Sequence, residues 1–217
     1  MKKFVIFALL ALAATGAFAQ GFSVSLGGGG LFDWSLNNGV KEDLGGGDTL
    51  HGGEQVLNFG GYVFLDLTYF ELDVGFAYGS RTVYAKTNFG GIKFSSSTNG
   101  GSYLQLVFSW LGKYPIKMGS VTFFPLLGGN FNMVLTWLYN GATVPGEHIK
   151  KLSHLGLLGG VGLDFDINGS LFIRVEALFH LAYPMAIYVD YANTDPDNIS
   201  PTFGMGPRIN VAIGYKF

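Results

Sequence analysis

The chain has 217 residues, 48% of them hydrophobic and 13% charged, with 34 Gly, 20 Phe, no Cys and a net charge of −2. That length suits one domain, and so apolar and glycine-rich a composition departs from ordinary soluble usage. The charge balance leaves no basic stripe for nucleic acid, and the lack of Cys excludes disulfides, thiolate nucleophiles, Cys-ligated metals and an N-terminal Cys lipid anchor.

The chain opens as a secretion signal. Lys2 and Lys3 give the positive start, Phe4 to Leu12 an apolar run too short to span a membrane, and Ala17-Phe18-Ala19 an A-x-A cleavage site. The expected organisation is a signal peptide over 1–19 and one domain over 20–217. Beyond the signal no stretch reaches the ~18 to 20 consecutive apolar residues of a spanning helix; Val121 to Tyr139 is interrupted by Gly128, Gly129, Asn130 and Asn132. An exported, apolar chain without such a helix is a secreted β-sandwich or a membrane barrel.

Eight stretches alternate with the period of a strand: 22–34, 56–66, 69–84, 103–116, 121–139, 154–166, 171–183 and 203–217. Leu67-Thr68, Lys117 to Ser120 and Ile167 to Ser170 read as tight turns, and Asn168-Gly169 is the strongest turn signal in the chain. The other connections, 35–55, 85–102, 140–153 and 184–202, are long and polar. Short turns at one end and long loops at the other are the habit of outer-membrane barrels, and a sandwich has no reason for it. Pro125 and Pro207 fall inside predicted strands, where a missing N–H suggests bulges that would invert the facing of Phe203 and Met205.

Phasing each strand by its apolar residues puts Phe59, Val74, Phe76, Trp110, Leu127, Trp137 and their period-2 partners on one face. Every charge within the strands then falls on the other: Asp33, Asp66, Glu71, Asp73, Arg81, Lys113, Asp164, Asp166, Arg174, Glu176, Arg208 and Lys216. A charge facing lipid near the midplane costs ~2 to 4 kcal/mol, so this separation is what a membrane barrel requires. The outward face is also bulkier than a sandwich core accommodates and includes all three Trp (Trp34, Trp110, Trp137). Aromatics gather at strand ends, as in interfacial girdles. Trp34, Phe59, Tyr84, Trp137, Tyr139 and Tyr183 form one rim; Phe22, Phe70, Tyr114, Phe123, Phe165, Tyr215 and Phe217 form the other.

The last strand carries Ile209, Val211, Ile213, Tyr215 and Phe217 at period 2. This resembles the C-terminal assembly signal of bacterial outer-membrane proteins, which the barrel-assembly machinery reads by edge pairing. With the signal peptide and the phased strands, the whole mature chain resembles the small eight-stranded outer-membrane barrels of the OmpA-barrel, OmpX and OmpW group. The resemblance implies an all-β, antiparallel up-and-down transmembrane barrel, outer-membrane lipid around it and the assembly machinery as a partner during biogenesis. With Phe217 as the last residue, the peptidoglycan-binding role of OmpA-type proteins is not expected.

An eight-stranded barrel is about wide enough for its side chains to fill or for one small ligand. The inward face predicts a polar network of Glu71, Asp73, Arg174, Glu176 and Arg208, with His154 and His180 also inward. It also carries apolar side chains, Phe64, Phe124, Leu126, Leu138, Leu158 and Phe172 among them. Two readings stay open. In one the lumen is filled, and the four long loops serve an envelope-structural or adhesin-like surface role, with Phe89, Ile92, Phe94 and Tyr188-Val189-Asp190-Tyr191 as candidate contacts with a host surface. In the other, resembling OmpW, Phe64, Phe124, Leu126, Leu158 and Phe172 line a narrow channel for small hydrophobic solutes. A general porin needs ~16 strands. No catalytic motif, metal ligand set or cofactor signature is present; Gly27 to Gly30 precede no helix and are read as room for bulky neighbours. The remote alternative, a lipid-modifying enzyme, has only Ser153-His154 to rest on, without a placed carboxylate.

Overall fold

A computed structural model describes residues 23–45, 48–89, 92–139, 142–145, 149, 153–186 and 201–217. The expected signal peptide, Phe22, His148 and the Tyr188 to Tyr191 stretch lie outside them.

Alternation of apolar and polar residues drives the described chain into strands whose two faces meet different surroundings. They are β1 (Ser25–Gly45), β2 (Asp48–Asp66), β3 (Phe70–Phe89), β4 (Ile92–Lys113), β5 (Ile116–Met118), β6 (Val121–Tyr139), β7 (Ala142–Thr143), β8 (His154–Asp166), β9 (Leu171–Ala186) and β10 (Pro201–Lys216). All neighbours are antiparallel; β1 pairs with β10 and β4 with β6, which closes the sheet on itself. The short β5 continues the line of β4, and β7 folds back on β6, so eight strands form the wall. This is the up-and-down barrel architecture of small outer-membrane proteins. No described helix is long and apolar enough to cross a membrane, and the crossing is made by strands.

The apolar face points out: Leu127 is 73% exposed and Leu157 65%, while Arg174, Glu71 and Glu176 have no exposed surface. The other charges that the alternation sorted to one face also turn inward, with Asp166 and Lys216 paired in partial exposure where the lumen opens. That end carries the short connections. At Asn168-Gly169, Gly169 takes φ +63°, and Asn168 Oδ1 accepts the Leu171 amide at 2.9 Å. Thr68 holds a left-handed φ of +65°, tied down by its amide donating to Asp66 Oδ1 (3.0 Å) and its hydroxyl to the Ser23 carbonyl (2.9 Å).

Several sequence expectations need correction. The stretches 35–55 and 85–102 are not long loops over their described residues: β1 and β2 run on to Gly45 and Asp48, and β3 and β4 to Phe89 and Ile92. Their polar, Gly-rich composition hides the strand because outside the lipid neither face has to be apolar. At 19 to 22 residues, β1 to β4 are about twice the length a crossing needs. The strand predicted over 103–116 ends at Lys113, because Tyr114-Pro115 interrupts the ladder before β5. Neither Pro125 nor Pro207 makes a bulge. Pro125 keeps unbroken register with β8 opposite Val161, and on its other side it faces the Tyr114-Pro115 gap. At Pro207 the β1–β10 ladder skips Trp34 and Ser35 but resumes in the same register, so Met205 stays outward.

Real bulges lie elsewhere, and two of them act together. On β6 an extra residue at Leu135 breaks the pairing with β4 between Leu104 and Gln105; on β4 an extra residue at Gly100 breaks the pairing with β3 opposite Arg81 and Thr82. The first reverses the parity of the strand beyond it. Trp137, expected in the outer girdle, is therefore buried in the lumen, and Leu138, expected inside, is exposed. The second bulge receives the indole: Trp137 Nε1 donates to the Gly100 carbonyl at 3.1 Å. Gly101 takes φ +92°, and a Cβ there would overlap the Leu138 carbonyl oxygen. Gly101→Val should therefore cost about 1 to 3 kcal/mol, read as a lower unfolding temperature in detergent together with red-shifted Trp emission. If neither moved, the double bulge would not be what holds Trp137 inside.

Candidate functional site in the barrel lumen

The lumen is layered along its axis. At the turn end, Arg174 on β9 is the hub. Its Nε donates to Asp164 Oδ1 at 2.7 Å, and its Nη2 to Asp164 Oδ2 at 2.8 Å and to Asp66 Oδ2 at 2.6 Å. Its Nη1 donates to Glu71 Oε2. Glu71 stands on β3, half-way round the barrel from β9, so this bond spans the full diameter. Lys113 joins from β4, reaching Glu71 Oε2 at 3.2 Å and also pairing with Asp66.

Three rings close over the hub. The guanidinium carbon lies 4.5 Å from the centroid of Phe64, 5.0 Å from Phe124 and 5.2 Å from Phe172. Phe64 stands over Gly27, Phe124 over Gly162 and Phe172 over Gly214, where a Cβ would overlap the ring. Small residues on one strand thus admit the rings of the next, the role expected for the glycine run. A buried charge is tolerable when it is paired and its remaining donors are satisfied, and stacked π-faces add cation–π attraction, worth more where water is excluded.

A second arginine crosses further in. Arg208 on β10 donates from Nε to Asn210 Oδ1 (3.1 Å) and from Nη1 to Ser109 Oγ (3.2 Å) on β4, again half-way round the wall. Asn210 Nδ2 in turn donates to Glu176 Oε2 at 2.8 Å. Asp73 shares this level, and neither of its oxygens has a hydrogen-bond partner among the described residues. Around it lie Leu31, Tyr62 and Val107, with Leu126, Leu158 and Leu178 packed beside Leu111 and Phe124.

The outer end holds an aromatic and aliphatic cluster. Trp137 packs with Val56, Tyr103, Val134 and Ile149. Tyr103 donates its hydroxyl to Asn58 Oδ1 at 2.7 Å, and Arg81, paired with Glu54, lies 5.1 Å from the indole centroid. His180 Nδ1 lies 3.3 Å from Asp33 Oδ2, and a ring nitrogen of His154 lies 2.8 Å from Asn132 Nδ2. Ser153 Oγ accepts the Val134 amide at 3.3 Å, which engages it with a backbone donor.

All five residues of the predicted polar network thus lie in the lumen, arranged on two levels: Glu71 and Arg174 below, Glu176 and Arg208 above, with Asp73 at the upper one. The five predicted apolar residues Phe64, Phe124, Leu126, Leu158 and Phe172 are likewise inside, but the three rings cover a guanidinium. The predicted assembly strand is β10, with Ile209, Val211, Ile213 and Tyr215 facing out between β1 and β9, and Phe217 just past its end. Sequence reasoning did not place Asp66, Lys113 and Asp164 in the network. Their inward parity was available; which cation reaches them depends on chords across the lumen. Trp137 carried no signal, because a bulge reversed it.

Open space is found at the turn end, where a cavity of about 440 Å³ is lined by Asp66, Thr68, Lys113, Phe124, Asp164 and Lys216 among others. Its floor is the Arg174 network, since Asp66, Asp164 and Phe124 are partners of that hub.

No protein-family model matches the chain, and no curated protein does. Among solved structures it is similar to the outer membrane protein OprG from Pseudomonas aeruginosa, with 14% identity, 90% of this chain and 95% of that one covered, and a TM-score of 0.43. It is also similar to Neisserial surface protein A, with 9% identity, 90% and 97% coverage and a TM-score of 0.41. A third is the outer membrane protease OmpT from Escherichia coli, with 8% identity, 90% and 96% coverage and a TM-score of 0.34.

Arg174→Met removes the cation and leaves Asp66, Glu71 and Asp164 facing one another. The loss should be about 3 to 5 kcal/mol, seen as a lower unfolding temperature of the refolded barrel in detergent. An unchanged temperature would show that the network does not hold the wall together.

Proposed function

We propose that this chain is an outer-membrane barrel with a closed lumen, serving an envelope-structural or surface-interaction role through its outer end. One observation carries the reading: Arg174, with no exposed surface, bonds across the barrel diameter to Glu71 and is covered by Phe64, Phe124 and Phe172. A water path would have to pass this hub, and the Trp137 cluster stands above it. The rings that a hydrophobic-solute channel would use as its lining are stacked on the guanidinium instead, which favours the filled barrel over that alternative.

The surface half of the reading rests on length. The β1–β2 and β3–β4 pairs extend past the ~9 to 11 residues of a crossing, offering extended, polar sheet at the outer end. Host or envelope partners would meet that sheet, while lipid surrounds the apolar wall and the assembly machinery meets β10 during insertion.

The mature chain, refolded and checked by heat-modifiable gel mobility, is expected to be silent in a planar bilayer, with or without a fatty acid. Reproducible conductance steps blocked by the fatty acid would overturn the closed lumen in favour of the solute channel. Replacing 85–102 by a short turn should weaken cell attachment or envelope integrity; if both stayed as in the wild type, the surface role of that strand pair would fall.

A further inference from the structure

We propose that the cavity at the turn end is a binding site for a small dicarboxylate, held at its two ends by opposite sides of the wall. The inference takes its floor from the closed lumen proposed above.

The strand register brings the same three residue types together twice. Lys216 on β10 pairs with Ser25 on β1, and Ser25 pairs with Asp66 on β2. Lys117 on β5 pairs with Thr122 on β6, and Thr122 pairs with Asp164 on β8. Each arc reads lysine, hydroxyl, aspartate across three neighbouring strands, and all six residues line the cavity. Since β5 continues the line of β4, four steps separate it from β10 either way round the wall, and four separate β6 from β1. The two arcs therefore face each other across the lumen.

The aspartates of the arcs are already occupied, and the donors are not. Both oxygens of Asp164 accept from Arg174, while Asp66 accepts from Arg174, Lys113 and the Thr68 amide. Ser25 and Thr122 are buried, at 4% and 8% exposure, and neither hydroxyl bonds to another group among the described residues. Lys117 stands exposed at the mouth, with no carboxylate partner among the described residues. Lys216 gives one of its three donors to Asp166. Each arc thus offers an ammonium and a hydroxyl, two donors for the two oxygens of one carboxylate, and hydrogen bonds of this charge-assisted kind are the strong ones. At the mouth itself two lysines meet one acid, Asp166, which favours an anion.

The hydroxyls decide the shape of the ligand. On side chains as short as Ser25 and Thr122 they stay close to the wall, on opposite sides of it, so a molecule that meets both must span the lumen. A single carboxylate or phosphate group reaches one arc; an acid with two ends reaches both. The Phe124 ring borders the same space and gives the methylenes between the ends an apolar surface. The volume of about 440 Å³ suits a metabolite, within the about 300 to 1,000 Å³ of small-molecule sites. Short turns mark the periplasmic end of outer-membrane barrels, so the ligand enters from the periplasm as a soluble acid.

The test is calorimetric titration of the refolded wild-type barrel, in a neutral detergent, with succinate and with adipate, against acetate at matched ionic strength. One of the two diacids should bind saturably, one per barrel, and about 100-fold more tightly than acetate, the gain expected when two weak contacts are linked. Lys117→Met at the exposed mouth and Ser25→Ala on the opposite arc should each bring that diacid down close to acetate. No saturable heat from either diacid in the folded wild type would overturn the proposal, even if a variant failed to refold. So would inorganic phosphate binding as tightly as the better diacid, which would mean a one-ended anion site. Diacid binding by a barrel that conducts would defeat the closed lumen and leave the site in place.

Discussion

A guanidinium with no exposed surface can sit near the axis of a membrane barrel only if the wall around it supplies both counter-charge and donors' partners, and the arrangement around Arg174 does this from several strands at once. Asp164 comes from the adjacent β8, Asp66 from β2 and Glu71 from the opposite side of the wall. A bond across the diameter constrains what sheet hydrogen bonds leave soft, namely the cross-section of the barrel. The second crossing, from Arg208 to Ser109, repeats the constraint one level further in. In a narrow eight-stranded wall two such chords and their covering rings occupy the space that a larger barrel would leave to water.

The glycines follow from the same constraint. A phenylalanine that lies flat over a guanidinium must extend sideways across its neighbouring strand, and Gly27, Gly162 and Gly214 are where it does so. Lumen packing, ion pairing and sheet composition are therefore one requirement seen at three scales. A side chain at any of these glycines would lift a ring, and lifting a ring would open the charged hub. The low cost of glycine in these strands comes from the sheet's closure, since each is held by ladders on both sides.

The outer end is built by a different device. Two bulges on adjacent strands re-aim one side chain and receive it, so that Trp137 is buried inside the barrel and does not join the outward girdle. Bulges reverse the inside–outside code locally while leaving the ladder intact on either side. The Trp137 cluster lies on the side where β1 to β4 rise beyond the length of a crossing.

Much of this was determined by the sequence alone. Period-2 alternation, the sorting of charges to one face and the Asn168-Gly169 turn were enough for the number of wall strands, their order and the inward charges, because lipid outside and a narrow lumen inside penalise a charge of the wrong parity. The polar network was legible as a list, Glu71, Asp73, Arg174, Glu176 and Arg208, for the same reason. Only the tertiary structure decided which of them meet, since the bond from Arg174 to Glu71 joins residues 103 apart in the chain through the barrel's closure. It also decided the facing of Trp137 and Leu138, because an extra residue at Leu135 changes parity without changing composition. And it decided that 35–55 and 85–102 continue as strands, since above the membrane the hydrogen-bond ladder persists after the apolar alternation that reveals it has ended.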